Sequence, residues 1–232
     1  MSGTTLTIEG PDGAFSGYLA RPAGGKWPGV VVIQEIFGVN KVMRDICDGL
    51  AAQGYVALCP DLFWRIEPGI QLTDKTDAEW KRAFELFQAF DVDAGLQDLQ
   101  ATITALRGQA GVTGKVGTVG YCLGGLLAYL TATRTDADCA VGYYGVGIEG
   151  RLAEAGRIKK PLLLHIAGKD QFVPPAAQKS VREGLAGTPL VSILGYAEND
   201  HAFARVGGAH YDARAAGLAN AATAAFFAAW LG

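Results

Sequence analysis

The sequence around Cys122 has the pattern of a nucleophile held at a sharp turn. An apolar, β-prone run that contains Val116 and Val119 leads into GYCLGG at residues 120–125, and an apolar helix-like segment follows. This predicts a strand, a tight turn of the form G-x-C-x-G and a helix, with sulfur in the place of the oxygen in G-x-S-x-G. Flanking glycines let the backbone close tightly, and the start of the helix favours a thiolate. A buried structural cysteine is the alternative interpretation.

Two further polar residues follow predicted strands and complete a possible catalytic set. Asp170 comes after the apolar strand at 162–167, and His201 follows the strand at 190–194. A histidine can take the proton of a nucleophile, and a carboxylate can orient that histidine. The order nucleophile, acid, histidine is that of α/β-hydrolases. A turn-forming aspartate and a functionless loop histidine are the alternatives; His165 is expected in the core and His210 on a surface loop.

Strands and helices alternate along the chain, and several strands are continuously apolar. This pattern predicts an α/β fold with a mostly parallel central sheet covered by helices on both faces, formed by a single domain over residues 1–232. The strands are predicted at 4–9, 15–20, 28–34, 55–58, 116–119, 139–144, 162–167 and 190–194. The helices are predicted at 42–52, 77–90, 93–107, 126–130, 178–185 and 211–231.

Composition excludes several classes of function. With 20 basic and 23 acidic residues, the net charge of −3 is unlike that of a nucleic-acid binder. No apolar run has membrane-spanning length, and the N-terminal sequence lacks the pattern of a signal peptide. The four cysteines have no C-x-x-C spacing, which argues against a zinc site and a disulfide framework. We therefore expect a cytoplasmic protein that binds neither nucleic acid nor membrane.

Beyond the triad pattern, the sequence resembles the dienelactone hydrolase (carboxymethylenebutenolidase) family of α/β-hydrolases. The motifs that carry the resemblance are QEIFGVN at 34–40, CPDL at 59–62, QAFD at 88–91, GYCLGG at 120–125, AVGYYGVG at 140–147 and HAFAR at 201–205. They extend over most of the chain. The resemblance implies a small lactone as substrate and a reaction that needs neither a metal nor an organic cofactor.

The family also implies a role for each matching position. Cys122, Asp170 and His201 would form the triad, and the thiolate would attack the lactone carbonyl to give an acyl-enzyme that water then releases. The backbone N–H groups of Leu123 and Ile36 would stabilise the oxyanion.

Glu35 lies directly beside the predicted oxyanion donor Ile36, where a carboxylate would repel the developing negative charge. In the family this glutamate holds the resting cysteine as a thiol until substrate displaces it. A structural carboxylate that caps a loop or pairs with an arginine is the alternative for Glu35.

The sequence departs from the family at the predicted substrate-carboxylate site. Arg205, four residues after His201, matches one family arginine and would share a face with His201 if the segment were helical. Trp80 stands where the family has a second arginine, so the anionic clamp is halved or rebuilt from Arg82. Tyr144 would line the pocket.

The aromatic residues of the predicted helix at 77–90 have two possible roles. Trp80, Phe84 and Phe87 recur at helical spacing, so they would form either a pocket wall or a stripe that faces the core. A surface position is the alternative for Arg205.

We therefore predict a monomeric hydrolase that opens a small lactone, with dienelactone, converted to maleylacetate, as the leading substrate. A related enzyme for a different lactone or carboxylic ester is one alternative. A non-catalytic ligand-binding protein is another. A thiol-based redox protein is a third, although no second cysteine lies near Cys122 in sequence.

Overall fold

Within residues 3–232, the structure contains eight strands and six α-helices, and buried apolar residues lie on both kinds of element. The computed structural model describes residues 3–232. The strands are β1 (Thr4–Gly10), β2 (Gly13–Ala20), β3 (Trp27–Ile33), β4 (Val56–Pro60), β5 (Val112–Tyr121), β6 (Cys139–Tyr143), β7 (Leu162–Ala167) and β8 (Val191–Tyr196). The helices are α1 (Lys41–Ala52), α2 (Asp77–Ala89), α3 (Val92–Arg107), α4 (Leu123–Arg134), α5 (Pro175–Leu185) and α6 (Ala213–Leu231).

Hydrogen bonds join the strands into one sheet in the order β1-β2-β4-β3-β5-β6-β7-β8. β1 and β2 form an antiparallel hairpin, and β2 also runs antiparallel to β4. The pairs β3–β4, β6–β7 and β7–β8 are parallel. The predicted α/β class with a mostly parallel sheet is confirmed. The chain divides into two compact units, one that ends at Thr118 and one of Val119–Gly232, and the single domain over 1–232 stays a prediction.

Polar side chains cap the first turns of three helices in the N-terminal unit. Asn40 accepts a hydrogen bond from the backbone of Met43 at the start of α1. Thr76 does the same for Glu79 in α2, and Asp91 caps α3. These caps satisfy N–H groups that have no partner inside their own helix. Residues 62–75 form turns and bends with a single bridge residue.

The two largest differences from the sequence prediction in the C-terminal unit are a longer helix and an unpredicted one. The helix predicted at 126–130 is longer, because the glycine-rich residues 123–125 already belong to α4. A 3₁₀ helix at Ile148–Arg157 was not predicted. Only Ile148 of that segment is buried.

A chain of buried hydrogen bonds ties α6 to three strands of the C-terminal unit. The Tyr196 hydroxyl lies 2.8 Å from His165 Nδ1, and His165 Nε2 lies 3.0 Å from the Thr223 hydroxyl. Thr223 is 2.6 Å from the Tyr143 hydroxyl, which donates to Asn220 Oδ1 over 3.1 Å. Every bond is satisfied when His165 is neutral with its proton on Nε2. Burial lowers the pKa of His165 to about 3, in agreement with a neutral ring.

His165 is therefore a packed core residue, as predicted, with 1% of its surface exposed. Every helix among residues 3–232 is too short or too polar to cross a lipid bilayer. No disulfide joins any of the four cysteines of the described chain. The cytoplasmic location and the monomeric state stay predictions.

We expect His165 to make the folded protein less stable as the pH falls. Its pKa is about 3 in the folded protein and about 6.5 in an unfolded chain, so between these values only the unfolded chain gains a proton. The free energy of unfolding should therefore fall by about 2 kcal/mol between pH 7 and pH 5 from this group alone. Denaturant unfolding at the two pH values measures the change.

His165→Gln is the control for that measurement, because glutamine keeps polar atoms in the network but does not titrate. The variant should lose less stability between pH 7 and pH 5 than the wild type. Equal losses in the two proteins would contradict the assignment of this pH dependence to His165.

Candidate active site

Cys122 occupies a strained backbone position between β5 and α4. Its φ of 58° and ψ of −114° place it outside the regions that residues with a Cβ normally adopt. The Cys122 N–H donates to the Tyr143 carbonyl over 3.1 Å, and the Cys122 carbonyl accepts the Gly125 N–H over 2.9 Å. These bonds hold the thiol at the tip of the turn, at the start of a helix. Such strain is a frequent property of functional sites.

The glycines of the motif are required by close backbone contacts. A Cβ on Gly120 would overlap the carbonyl group of Gly124 on the other side of the turn. A Cβ on Gly125 would lie 2.5 Å from the Tyr143 carbonyl oxygen and 2.7 Å from the Cα of Gly145. Real Cβ atoms do not come this close to backbone. The G-x-C-x-G-G sequence therefore lets the turn close and lets α4 pack directly on β6.

Asp170 uses both oxygens of its carboxylate. Oδ1 accepts the backbone N–H groups of Phe172, at 2.8 Å, and Val173, at 3.2 Å. Oδ2 lies 2.8 Å from Nδ1 of His201. The turn-forming role and the histidine-orienting role, which were alternatives from the sequence, are thus both present. With 3% of its surface exposed, Asp170 makes these bonds away from competing water.

His201 is held by contacts on its ring and on its backbone. Nδ1 donates to Asp170, and the edges of Tyr144 and Phe172 pack on the ring with centroid distances of 5.1 and 4.9 Å. The His201 N–H donates to Asp200 Oδ1 over 2.6 Å. Nε2 is buried and makes no hydrogen bond of ordinary geometry to any atom of residues 3–232. Nε2 is therefore the nitrogen left for proton transfer.

The charges of Cys122 and Asp170 control the protonation of His201. Burial alone would lower the pKa of the imidazole, but the negative charge of the Cys122 sulfur and the bond to Asp170 outweigh it and raise the pKa to about 10. Because Nε2 lacks an ordinary hydrogen bond, we attribute the effect of Cys122 to charge at close range. The C-terminal unit thus brings Cys122, Asp170 and His201 together as one coupled set.

Three other predicted site residues lie in the same unit. Leu123 is the first residue of α4, directly after Cys122, and is 1% exposed. Tyr144 contacts the His201 ring, as described, and has a φ of 38°. Arg205 is 7% exposed, and its N–H donates to the Ala202 carbonyl over 2.9 Å. The helix that was to place Arg205 on the face of His201 is absent, since residues 201–204 form turns.

The remaining predicted site residues lie in the N-terminal unit. Glu35 and Ile36 follow β3 after one intervening residue, Gln34, and are 1% and 5% exposed. Trp80, in α2, packs edge-on against Phe37 at 5.1 Å and stacks on Phe84 at 5.6 Å. Its indole N–H donates to the Asp74 carbonyl over 3.2 Å.

Arg82 in α2 is engaged by two acidic side chains of the same unit. It pairs with Glu67 at 2.6 Å and with Glu85 at 3.0 Å. Phe84 and Phe87 are 39% and 36% exposed, so of the two roles that the sequence left open, a stripe that faces the core does not hold for this pair. The helical periodicity was detected correctly, but the face that it marks is partly open to solvent.

Sequence reasoning missed Phe172 and Asp200 as neighbours of His201. Phe172 follows Asp170 by two residues, and Asp200 directly precedes His201, so proximity in sequence to a predicted triad residue was the available signal. Among residues 3–232, no cluster of three or more His, Cys, Asp or Glu side chains is arranged to hold a metal ion.

Comparison with known proteins finds relatives over nearly the whole chain. The model of the dienelactone hydrolase family matches residues 15–231. A protein of Azospirillum brasilense, provisionally named carboxymethylenebutenolidase, is 54% identical, with 99% of this chain and 100% of that protein covered. The carboxymethylenebutenolidase of Pseudomonas putida is 44% identical, with 93% and 92% covered.

A solved structure has a similar fold. The crystal structure of a provisionally named dienelactone hydrolase from Klebsiella pneumoniae is 28% identical to this chain in sequence and superposes with a TM-score of 0.86. The match covers 97% of this chain and 98% of the Klebsiella chain.

We expect the Cys122→Ala variant to have a lower pKa at His201. Removal of the sulfur removes the negative charge that favours the imidazolium, while burial, which opposes it, remains. The pKa of His201 should fall from about 10 by roughly one unit or more. An NMR titration of the imidazole resonances measures the shift, with the buried His165 as an internal reference. An unchanged pKa in Cys122→Ala would show that the sulfur does not act on this ring.

Proposed function

Because the chain belongs to the dienelactone hydrolase family and is a hydrolase of lactones or esters, we propose that it hydrolyses dienelactone (4-carboxymethylenebut-2-en-4-olide) to maleylacetate. The observation that carries the proposal is the 2.8 Å bond between Asp170 and His201, in a chain whose Cys122 charge raises the pKa of that histidine. This is the pairing that a cysteine nucleophile requires.

The proposed reaction is an acyl transfer in two halves. The Cys122 thiolate attacks the lactone carbonyl carbon, and the tetrahedral intermediate collapses as the ring C–O bond breaks. The imidazolium of His201 gives its Nε2 proton to the leaving enolate oxygen, which leaves a thioester on Cys122. Neutral His201 then takes a proton from water, which attacks the thioester and releases the second carboxylate and the thiolate. The enol product becomes the ketone maleylacetate.

The proposed oxyanion donors are the backbone N–H groups of Leu123 and Ile36. Leu123 opens α4, and the first N–H groups of a helix have no partner within the helix and point along its positive end. Two such donors are the usual requirement of a tetrahedral intermediate, whose negative charge sits on the former carbonyl oxygen. Ile36 enters the proposal from the family resemblance and from its place directly after Glu35.

We also propose that Glu35 keeps the resting Cys122 from reacting until substrate binds. The support is the family resemblance and the burial of Glu35, since a carboxylate with 1% exposure is costly unless it has a specific task or partner. Such an enzyme should resist alkylation when no substrate is present. Rapid labelling of Cys122 by iodoacetamide at neutral pH would contradict this role.

Arg205 is the proposed partner of the substrate carboxylate. It is 7% exposed, which is rare for an arginine on a plain surface, and its guanidinium can hold a carboxylate by two hydrogen bonds. The second position of the family clamp is filled by Trp80, and the nearby Arg82 is already paired with Glu67 and Glu85. These pairs favour a second candidate: a lactone or ester that is less acidic or bulkier than dienelactone.

We expect wild-type protein to hydrolyse dienelactone and Cys122→Ala to be inactive, because alanine has no nucleophilic atom. Cys122→Ser should fold and be nearly inactive, since the serine hydroxyl is far less acidic than a thiol. Loss of the ultraviolet absorbance of the lactone measures turnover, and circular dichroism checks the fold of both variants.

The alternatives predict different results in the same assay. Turnover of neutral aryl esters without turnover of dienelactone would support the hydrolase activity and reject the acidic lactone as the substrate. Trp80→Arg would then be the variant to test next. No turnover of any lactone or ester would favour a ligand-binding protein. Near wild-type activity of Cys122→Ser would contradict the thiolate mechanism.

We expect Arg205→Gln to discriminate between acidic and neutral substrates. Loss of the guanidinium removes the charged hydrogen bonds to the substrate carboxylate, so kcat/KM for dienelactone should fall by about 30-fold or more. For a neutral aryl ester, kcat/KM should change little. Arg82→Gln is the matched control, since its guanidinium is occupied by two glutamates. Equal losses of kcat/KM on both substrates would mean that Arg205 supports the fold and does not bind the substrate carboxylate.

A further inference from the structure

We infer that His210 is a positioning residue that fixes the backbone of His201 for the reaction. The inference rests on the proposed function, because it concerns the general base of that mechanism. From the sequence, His210 was interpreted as a surface loop residue or as a rival of His201. The surface position is confirmed, since His210 lies in a turn with 40% of its side chain exposed, and its contacts there give it a further role.

His210 contacts the main chain of His201. Nδ1 of His210 lies 3.2 Å from the His201 carbonyl oxygen. A carbonyl oxygen only accepts hydrogen bonds, so Nδ1 must carry a proton, and the position of that proton does not depend on whether the ring is neutral or charged. Because Nδ1 is used in this way, His210 is oriented as a donor to the catalytic loop.

Asp200 holds the opposite side of the same residue. Its Oδ1 accepts the His201 N–H at 2.6 Å, and its Oδ2 lies 3.7 Å from His210 Nδ1. Both backbone polar groups of His201 are therefore bonded to side chains of the loop. Oδ2 is too far for a hydrogen bond to His210 and acts on it only as a nearby charge. The loop thus fixes His201 at its N–H and its C=O, while Asp170 holds its ring.

The backbone after His201 needs such support. Ala202 has a φ of 61°, in the left-handed region that residues with a Cβ rarely adopt. Residues 201–204 form turns, so a regular helix does not fix the peptide that joins His201 to Ala202. The hydrogen bond from His210 acts on the carbonyl of that peptide. Without it, we expect the peptide to rotate toward an ordinary conformation and to carry the imidazole away from its working position.

Substitutions at position 210 can show whether His210 acts as a hydrogen-bond donor or only fills space. Asparagine attaches an N–H donor to Cγ, as histidine does at Nδ1, so His210→Asn can keep the bond to the carbonyl. Glutamine carries its amide one bond farther out, and alanine has no donor. Val206→Ala is the matched control, because Val206 belongs to the same loop and is 68% exposed.

We expect kcat to fall when the hydrogen-bond donor at position 210 is removed and to recover when a donor is put back in the same place. His210→Ala should lower kcat by about tenfold with KM within about twofold of the wild type, because the substrate-binding groups are unchanged. His210→Gln should resemble His210→Ala. His210→Asn should recover most of the lost rate, and Val206→Ala should match the wild type. A wild-type kcat in His210→Ala, or a His210→Asn as slow as His210→Ala, would overturn the inference.

An NMR measurement tests the inference without any substrate. The proton between His201 Nδ1 and Asp170 should give a downfield resonance in the wild type and in His210→Asn. In His210→Ala it should broaden or shift as the imidazole becomes mobile. An unchanged resonance in His210→Ala would overturn the positioning role even if the protein hydrolyses dienelactone. A changed resonance in a protein that hydrolyses no lactone or ester would support the positioning role and reject the proposed function.

Discussion

The hydrogen bond between Asp170 and His201 is the interaction on which the chemistry of the site depends. It fixes which nitrogen of the imidazole carries the permanent proton, and so leaves Nε2 as the nitrogen that exchanges protons in the proposed mechanism. The bond is possible because Phe172 and Val173 hold the other carboxylate oxygen with their backbone N–H groups. The turn after Asp170 thus determines, in the proposed mechanism, that proton transfer takes place at Nε2 of His201. Since both side chains are almost fully buried, water does not compete for this bond.

Backbone strain is concentrated at the residues around this bond. Within residues 3–232, three residues other than glycine have positive φ, namely Cys122, Tyr144 and Ala202. The first is the proposed nucleophile, the second packs on the His201 ring and the third directly follows that histidine. Left-handed backbone is costly for residues with a Cβ and persists only where the surrounding packing fixes it. The rest of the C-terminal unit supplies that packing.

Much of the fold could be predicted from sequence because its elements are strongly patterned. Continuous apolar runs marked the buried strands, and the glycine-flanked Cys122 marked the sharp turn before α4. The 3₁₀ helix at 148–157 was not predicted; it buries only Ile148. Arg205 would share a face with His201 only in a helix, and residues 201–204 form turns instead, with the backbone of His201 hydrogen-bonded to Asp200 and His210.

Site residues were harder to predict when their role depends on contacts across the fold. Residue type and spacing indicated Asp170 and His201, but not that Phe172 packs on the imidazole. The exposed Phe84 and Phe87 show the same limit, because periodicity identifies a helix face and does not identify what covers it. Arg82 was expected to be available for a ligand, and its two glutamate partners could be found only from the folded structure.

The hydrogen-bonded chain through His165 also has a consequence for the order of folding. β6 and β7 bring Tyr143 and His165 into the core, yet Thr223, which joins them, belongs to α6. During synthesis the strands emerge from the ribosome well before that helix, so their buried polar groups initially lack a partner. A buried polar group without a partner is costly. The C-terminal unit can therefore reach its final packing only after α6 has docked, and the last helix completes a core that the earlier strands begin.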